Sequence, residues 1–252
     1  MSLDFEEVTE ATYHYILAHG LNVQPSAMER LAEALELPAD RCTIISLPGH
    51  APGESWADVT ATHWLDSFEA QYRAALPPQG EVVYVGYSLG GLLMTYLLGA
   101  GRLPAPARQV LFAPALAFKR WTRIPTLFPP SAIDRLLIPS FVPAQYKATP
   151  GVTIGTYKAL FEVSNALASL APESYNLPTL VLCDQRDELV HPEGLRAFIQ
   201  EKNLSEWQLH IIPSLLWERW GKKHLLVARE YQSETYWADI QRQIEIFLKG
   251  KD

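Results

Sequence analysis

A serine stands between two glycines in the stretch Gly86-Tyr87-Ser88-Leu89-Gly90. The apolar residues before it predict a strand, and the leucine-rich residues after it predict a helix. A Gly-x-Ser-x-Gly motif at such a junction forces a sharp turn, which exposes the serine hydroxyl at the carboxyl end of the strand. The motif also occurs by chance, but its position at the junction and a third glycine, Gly91, favour a nucleophilic serine.

A serine hydroxyl is a weak nucleophile, so it needs a base and a group that orients the base. In this strand–turn–helix arrangement the acid and then the histidine follow the serine, which leaves His191, His210 and His224. His210 lies in a strand-like apolar run, and His191 begins a predicted helix four residues after Asp187. We therefore expect His224, in a loop before the last helix, to be the base.

The acid is expected in the loop that follows the apolar run 179–184, where Asp184, Asp187 and Glu188 are available. Asp184 continues directly from the run, which favours a structural role. Asp187 lies three residues further out and is the predicted acid, with Asp184 as the alternative.

An oxyanion hole needs two backbone N–H groups directed at the developing negative charge. The N–H of Leu89, the residue after the serine, is one expected donor. The other is expected in the loop His19-Gly20-Leu21-Asn22, where Leu21 is the natural choice. His19 either lies at the substrate pocket or braces this loop with its ring.

Short apolar runs that alternate with helical patterns must position these groups. The predicted strands are 13–19, 41–47, 81–87, 108–114, 179–184 and 207–213, and the helical patterns cover 25–37, 61–76, 155–170, 191–202 and roughly 226–249. Near-continuous hydrophobicity is typical of strands that are buried on both faces. The alternation predicts an α/β fold, with a mostly parallel central sheet and helices on both of its faces.

Residues 115–176 interrupt this alternation. No good buried strand is predicted there, and six prolines fall between positions 125 and 150. The segment is too apolar for a disordered linker, so we expect a cap or lid inserted into a core made of 1–114 and 177–252. The predicted pocket residues are His19, Tyr87, Phe118, Trp121 and Trp217. Aromatic residues of the cap can equally pack its own core.

Composition excludes several classes of function. The 252 residues are 48% hydrophobic, which is enough for one large domain or two small ones. The net charge is −7 and the longest basic block is a Lys-Lys pair, which argues against nucleic acid as a partner. Neither a signal peptide nor a membrane span is predicted, so a cytoplasmic protein is expected. No zinc-type Cys/His spacing or dinucleotide-binding glycine motif occurs, so no metal or organic cofactor is expected.

Five motifs together carry a resemblance to a known family: AHGLN (18–22), LPGHAPGES (47–55), VGYSLGG (85–91), CDQRDELV (183–190) and KKHLL (222–226). With them the chain resembles the α/β-hydrolase superfamily over residues 13–249. It looks most like the bacterial carboxylesterase and monoacylglycerol-lipase-like group, whose cap lies between the sixth and seventh sheet strands. The resemblance implies a triad of Ser88, Asp187 and His224, with the amides of Leu21 and Leu89 as oxyanion hole.

The leading hypothesis is a serine esterase of the carboxylesterase or lipase-like class (EC 3.1.1). It would act on small-molecule esters of small or medium acyl groups, as a monomer or homodimer. The resemblance also covers thioesterases, carbon–carbon bond hydrolases and a menaquinone-pathway lyase, and Arg120 and Arg123 could bind an anionic substrate. A non-catalytic binding protein on the same fold is the third hypothesis.

Overall fold

The computed structural model describes residues 13–51, 53–57, 59–127, 132–140, 142–214 and 222–250. The strands in this part of the chain are β1 (Tyr13–Ala18), β2 (Cys42–Ile45), β3 (Glu81–Tyr87), β4 (Arg108–Phe112), β5 (Leu137–Pro139), β6 (Gly151–Thr153), β7 (Thr179–Asp184) and β8 (Trp207–Ile212). The α-helices are α1 (Ser26–Ala34), α2 (Ala61–Ala74), α3 (Leu89–Gly99), α4 (Ile154–Leu167), α5 (Pro192–Glu201) and α6 (Glu234–Lys249).

Six of the strands form one sheet in the order β2-β1-β3-β4-β7-β8, and every neighbouring pair is parallel. These are the six strands predicted from the apolar runs, and the predicted α/β architecture is confirmed. At the carboxyl edge, Ala18 of β1 is in register with Ile45 of β2 and Gly86 of β3. The loops that follow β1 and β3 therefore start side by side, at the edge where ligands bind in open α/β sheets.

Helices cover both faces of the sheet, because successive strand residues point to opposite faces. Leu17 and Val83 pack with α1 and α6 in one buried cluster. Ile16 and Tyr84 pack with α2, α3, α4 and α5 in the other. Burial on both faces explains why the strands read as continuous apolar runs rather than as an alternating pattern.

The last helix is shorter than predicted. The pattern 226–249 predicted one long helix, whereas α6 begins at Glu234. Residues 225–228 are buried throughout, at 4% exposure or less, and so lack the polar face of a surface helix. Ser233 then caps the helix, since its hydroxyl accepts a hydrogen bond from the Tyr236 N–H at 3.3 Å.

The segment 115–176 lies between β4 and β7, which are the fourth and fifth strands of the main sheet within the described residues. Its described residues contribute no strand to the main sheet, but β5 and β6 form an unpredicted antiparallel ribbon. Its helix α4 buries Ala159, Leu160 and Val163 in the same cluster as α2 and α3. This helix therefore packs as part of the core, and the division into core and cap stays a proposal.

No helix in the described ranges has both the length and the apolar character needed to cross a membrane.

Candidate active site

Ser88 occupies the junction between β3 and α3, with φ 49° and ψ −106°. A positive φ is uncommon for a residue with a side chain and stores backbone strain that the surrounding contacts must hold. The Ser88 N–H donates to Phe112 O at 2.9 Å, and Ser88 O accepts from the Ala115 N–H at 3.0 Å. Both bonds fix the turn from the β4 side, and the residue remains 9% exposed.

Gly90 allows α3 to pack directly against the end of β1. A Cβ at this position would lie 2.5 Å from Ala18 O, closer than any real contact of this kind. The Gly90 N–H donates to His19 O at 3.1 Å, and the buried Tyr84 hydroxyl donates to Gly90 O at 2.8 Å. The first turn of α3, and with it Ser88, is thereby tied to β1 and β3.

The structure brings Ser88, His224 and Asp187 together although they lie far apart in sequence. His224 Nε2 is 3.1 Å from Ser88 Oγ, and His224 Nδ1 is 2.8 Å from Asp187 Oδ2. The other Asp187 oxygen accepts from the N–H groups of Leu189 and Val190, both at 2.8 Å. Because these two bonds fix the fully buried carboxylate, the His224 Nδ1–H donates to it and Nε2 is left to accept the Ser88 proton.

A second carboxylate fixes the backbone that carries His224. Glu188 Oε1 accepts from the Lys223 N–H at 3.0 Å, and Oε2 accepts from the His224 N–H at 2.7 Å. The Lys223 side chain is buried at 3% exposure and donates to Ser214 Oγ at 3.3 Å. From the sequence, Glu188 is a candidate acid only. No local pattern signals its contacts with Lys223 and His224, which lie 35 and 36 positions further along the chain.

The alternative acid, Asp184, and the other two histidines that follow Ser88 have different partners. The buried Asp184 accepts from the Tyr236 hydroxyl at 2.8 Å and from the Ser214 hydroxyl at 2.5 Å. His210 Nε2 is 2.7 Å from Asp239 Oδ2, and His191 Nδ1 accepts from the first turn of α5. These contacts give all three residues structural roles. Among the described residues, no cluster of three or more His, Cys, Asp or Glu side chains could hold a metal ion.

The loop after β1 passes directly beside the serine. A Cβ at Gly20 would lie 3.0 Å from Ser88 Cβ and 2.7 Å from the Tyr87 ring. Leu21 is the second residue of the turn that the Val23 N–H closes by donating to Gly20 O at 3.2 Å. Within the described ranges, neither the Leu21 nor the Leu89 N–H donates to a protein acceptor. Both predicted oxyanion donors are therefore available to a ligand.

His19 braces this loop and does not line an open pocket. Its ring is fully buried, Nδ1 donates to Gly20 O at 3.0 Å, and Nε2 accepts from the Leu47 N–H at 3.1 Å. Burial lowers the pKa of His19 to about 4, because desolvation penalises the charged imidazolium. These contacts agree with the alternative prediction for His19, a brace of the loop.

The remaining predicted pocket residues occupy different surroundings. Tyr87 is 2% exposed, and its ring centroid lies 5.4 Å from that of His224, so it packs against the imidazole. Phe118 packs 4.6 Å from Phe161 inside the insertion, whereas Trp121 is 55% exposed and lies on the insertion's surface. Trp217 lies outside the described residues.

Comparison with known proteins gives the same architecture. A family model described as "Alpha/beta hydrolase family" matches residues 15–238. No curated protein matches the chain.

Three similar solved structures come from lipolytic enzymes. A soluble variant of monoglyceride lipase from Saccharomyces cerevisiae, in complex with a substrate analog, is 14% identical with a TM-score of 0.69, over 94% of this chain and 86% of that chain. The monoacylglycerol lipase of Paleococcus ferrophilus is 15% identical with a TM-score of 0.67, over 94% of both chains. A structure from work on the metagenome-derived lipolytic enzymes LipS and LipT is 18% identical with a TM-score of 0.64, over 93% of this chain and 95% of that chain. At such identities the likeness concerns the fold alone.

Proposed function

The chain belongs to the alpha/beta hydrolase family, and on that premise we propose that it is a serine hydrolase that cleaves carboxylic esters of small or medium acyl groups. The proposal rests mainly on the continuous hydrogen bonds from Ser88 Oγ through His224 to Asp187, at 3.1 and 2.8 Å. A nucleophile, its base and the base's orienting acid in this geometry are suited to acyl transfer.

In the acylation step, Ser88 Oγ attacks the ester carbonyl carbon while His224 Nε2 takes the hydroxyl proton. The carbonyl electron pair moves onto oxygen, and the N–H groups of Leu21 and Leu89 stabilise that oxyanion. Asp187 holds the His224 tautomer and stabilises the imidazolium. When the carbonyl re-forms, the ester C–O bond breaks and His224 gives its proton to the departing alkoxide, which leaves an acyl-serine.

Deacylation repeats these steps with water. His224 takes a proton from a water molecule, whose oxygen attacks the acyl-serine carbonyl. The same two N–H groups stabilise the second oxyanion. Its collapse releases the carboxylic acid and returns the proton to Ser88 Oγ, so the enzyme is regenerated without a metal or cofactor in any step.

The insertion begins beside the loop that carries the proposed acid. The Lys119 N–H donates to Leu189 O, and the His191 N–H donates to Ala117 O, both at 2.9 Å. We propose that residues 115–176 form a cap that selects the acyl group, with Phe118 near its entrance. Cytoplasmic location and a monomeric or homodimeric state remain predictions from the sequence.

Thioester and carbon–carbon bond cleavage on the same triad are the alternative reactions. An anionic substrate would favour them if Arg123 were available to bind it. Arg123 instead lies over the rings of Phe118 and Phe161, at 5.9 and 5.0 Å, and donates to Asn165 Oδ1 at 3.2 Å. Arg123 thus has partners within the insertion, although both Arg123 and Arg120 are exposed. Because no described contact of either arginine points specifically to an anionic substrate, ester cleavage stays the leading proposal.

The test is fluorophosphonate labelling combined with a panel of p-nitrophenyl acyl esters. We expect stoichiometric labelling of the peptide that contains Ser88 and fastest turnover of short or medium acyl chains.

Ser88→Ala should abolish labelling and lower kcat by a factor on the order of 10⁶. Ser169→Ala removes an exposed serine and is the matched control. An unlabelled wild type would favour a binding protein, and equal labelling of Ser88→Ala would rule out Ser88 as the nucleophile. A labelled enzyme that is inert towards all the esters would favour the alternative reactions.

A further inference from the structure

Part of the insertion lies along the loop that carries Leu21. We call residues 145–149 the strap. The Gln24 N–H donates to Tyr146 O at 2.8 Å, Val23 and Lys147 form an antiparallel β-bridge, and the Ala148 N–H donates to Asn22 O at 3.2 Å. The strap therefore follows the loop residue by residue from Asn22 to Gln24.

The side chain of Asn22 adds a second layer of bonds to the strap. Its Oδ1 accepts from the Thr149 N–H at 2.9 Å, and its Nδ2 donates to Thr149 O at 3.0 Å. The Thr149 hydroxyl accepts from Trp56 Nε1 at 2.7 Å, and its single proton is shared between Asn22 Oδ1 at 2.9 Å and Gly151 O at 2.6 Å. Asn22 is only 2% exposed, so a loss of these partners would leave a buried amide unsatisfied, which is costly. This bidentate contact fixes Asn22 relative to Thr149.

Asn22 also sets the shape of the turn that orients Leu21. It has φ 56°, in the left-handed region that asparagine tolerates better than most residues. Leu21 and Asn22 are the two central residues of the turn closed by the Val23 N–H and Gly20 O. Because the plane of the peptide before Leu21 follows from this turn, the direction of the Leu21 N–H depends on how Asn22 is held.

The strap is in turn anchored to the segment that follows His224. The Tyr146 hydroxyl donates to Glu230 Oε2, and Gln145 Nε2 donates to the Tyr231 hydroxyl, both at 2.6 Å. Tyr146 is 1% exposed, whereas the bond between Gln145 and Tyr231 lies at the surface. One short piece of the insertion thus connects the loop with the proposed oxyanion donor to the region beside the proposed base.

We propose that Asn22 and Thr149 are positioning residues, through which the strap holds the Leu21 N–H in its oxyanion-binding direction. This inference rests on the proposed function, because the Leu21 N–H matters only if an oxyanion forms at Ser88. The insertion would then hold a catalytic group in place, in addition to the cap role proposed above. A small misalignment of a catalytic donor can lower the rate by about 10²-fold, and complete loss of a donor costs on the order of 10²–10³-fold.

The experiment compares kcat and KM for p-nitrophenyl esters in three variants. Asn22→Gly keeps a backbone that tolerates positive φ but removes the side-chain bonds. Thr149→Val removes the hydroxyl at nearly constant shape, and Thr149→Ser restores it. We expect kcat to fall about 10–100-fold in Asn22→Gly and about tenfold in Thr149→Val, with KM within about threefold. Thr149→Ser should recover most of the activity, and Thr43→Val, at an exposed position of β2, should equal the wild type.

A trifluoromethyl ketone gives the readout that a merely structural role would not move. It adds to the serine to form an oxyanion, so its inhibition constant should rise by the same factor as kcat falls. The inhibition constant of the product acid, which forms no oxyanion, should stay unchanged. An active wild type with Asn22→Gly and Thr149→Val both within twofold in kcat overturns this inference alone. A wild type without esterase activity or labelling overturns the proposed function and this inference together.

Discussion

The two sides of the candidate site are built differently. The nucleophile side, made of β1, β3 and α3, holds Ser88 by close backbone packing around Gly20 and Gly90. The histidine side, made of residues 185–191 and 222–228, holds His224 by hydrogen bonds from side chains, chiefly those of Asp187 and Glu188. Packing tolerates no added atoms, whereas side-chain hydrogen bonds can be altered at almost constant volume.

This difference predicts what substitutions should do on each side. On the nucleophile side, substitutions of the packed residues around Ser88, as distinct from Ser88 itself, should mainly change the free energy of unfolding, because the same contacts form the centre of the sheet. On the histidine side, isosteric changes should mainly alter kcat. Four predictions test the contrast, in order of expected effect.

The largest effect is expected for Asp187→Asn on the histidine side. The asparagine oxygen would take over the N–H groups of Leu189 and Val190, which directs its NH₂ group at His224 Nδ1. The imidazole must then accept at Nδ1 and carry its proton on Nε2, where it cannot take the Ser88 proton. We expect kcat to fall about 10⁴-fold at pH 7, which corresponds to about 5 kcal/mol.

Urea denaturation is the matched measurement for Asp187→Asn, and the midpoint should change little because the shape is kept. A fall in the free energy of unfolding as large as the rise of about 5 kcal/mol in the activation free energy would contradict the division into two sides.

The second effect is expected for Gly90→Ala on the nucleophile side. The added Cβ would lie 2.5 Å from Ala18 O, and backbone cannot move aside as a flexible side chain can. We expect the free energy of unfolding to fall by about 3 kcal/mol, from denaturant curves. In the control Gly53→Ala nothing lies within 4 Å of the new Cβ, and only the strain of φ 85° remains, at about 1 kcal/mol. Equal losses in the two variants would show that α3 does not depend on this contact.

The same contrast explains what the sequence could predict. The elbow around Ser88 is a local feature, so Gly86, Ser88 and Gly90 signal the turn within five residues. That architecture also sets the order of acid and base along the chain, and this order leads to the prediction of Asp187 and His224. No local pattern reveals contacts between residues that are distant in sequence. Glu188 and Lys223 are 35 positions apart, and Asn22 and Thr149 are 127 positions apart. The helix was predicted to start near residue 226 rather than at Glu234, because the apolar run 225–228 resembles the buried face of a helix.

The third prediction concerns the pH dependence of stability on the nucleophile side. Burial holds the pKa of folded His19 at about 4, below its ordinary 6.5, and burial also lowers the pKa of His50, whose ring centroid lies 4.5 Å away. Between about pH 4 and pH 6.5, His19 binds a proton in the unfolded chain but not in the folded protein. The His19 contribution is therefore complete above pH 6.5 and is lost as pH falls towards 4. From pH 7 to 5 the free energy of unfolding should drop by about 2 kcal/mol on account of His19.

Denaturation series at pH 7 and pH 5 measure this drop. His19→Gln keeps an acceptor for the Leu47 N–H but cannot titrate, so its drop should be smaller by that amount. His63→Gln, at an exposed position of α2, should keep the dependence of the wild type. If His19→Gln retained the full drop, His19 would not be the neutral buried group that the structure indicates.

The smallest effect is expected for Glu188→Gln on the histidine side. A glutamine has one oxygen for the two N–H groups of Lys223 and His224, and its NH₂ group must face one of them. The backbone of His224 should loosen while the packing is kept, so kcat should fall about tenfold with KM and the denaturation midpoint nearly constant. Glu193→Gln, an exposed partner of Arg196 on α5, is the control and should match the wild type. A loss of stability without a change in kcat would instead make Glu188 a fold residue, and the histidine side would then be held in the same way as the nucleophile side.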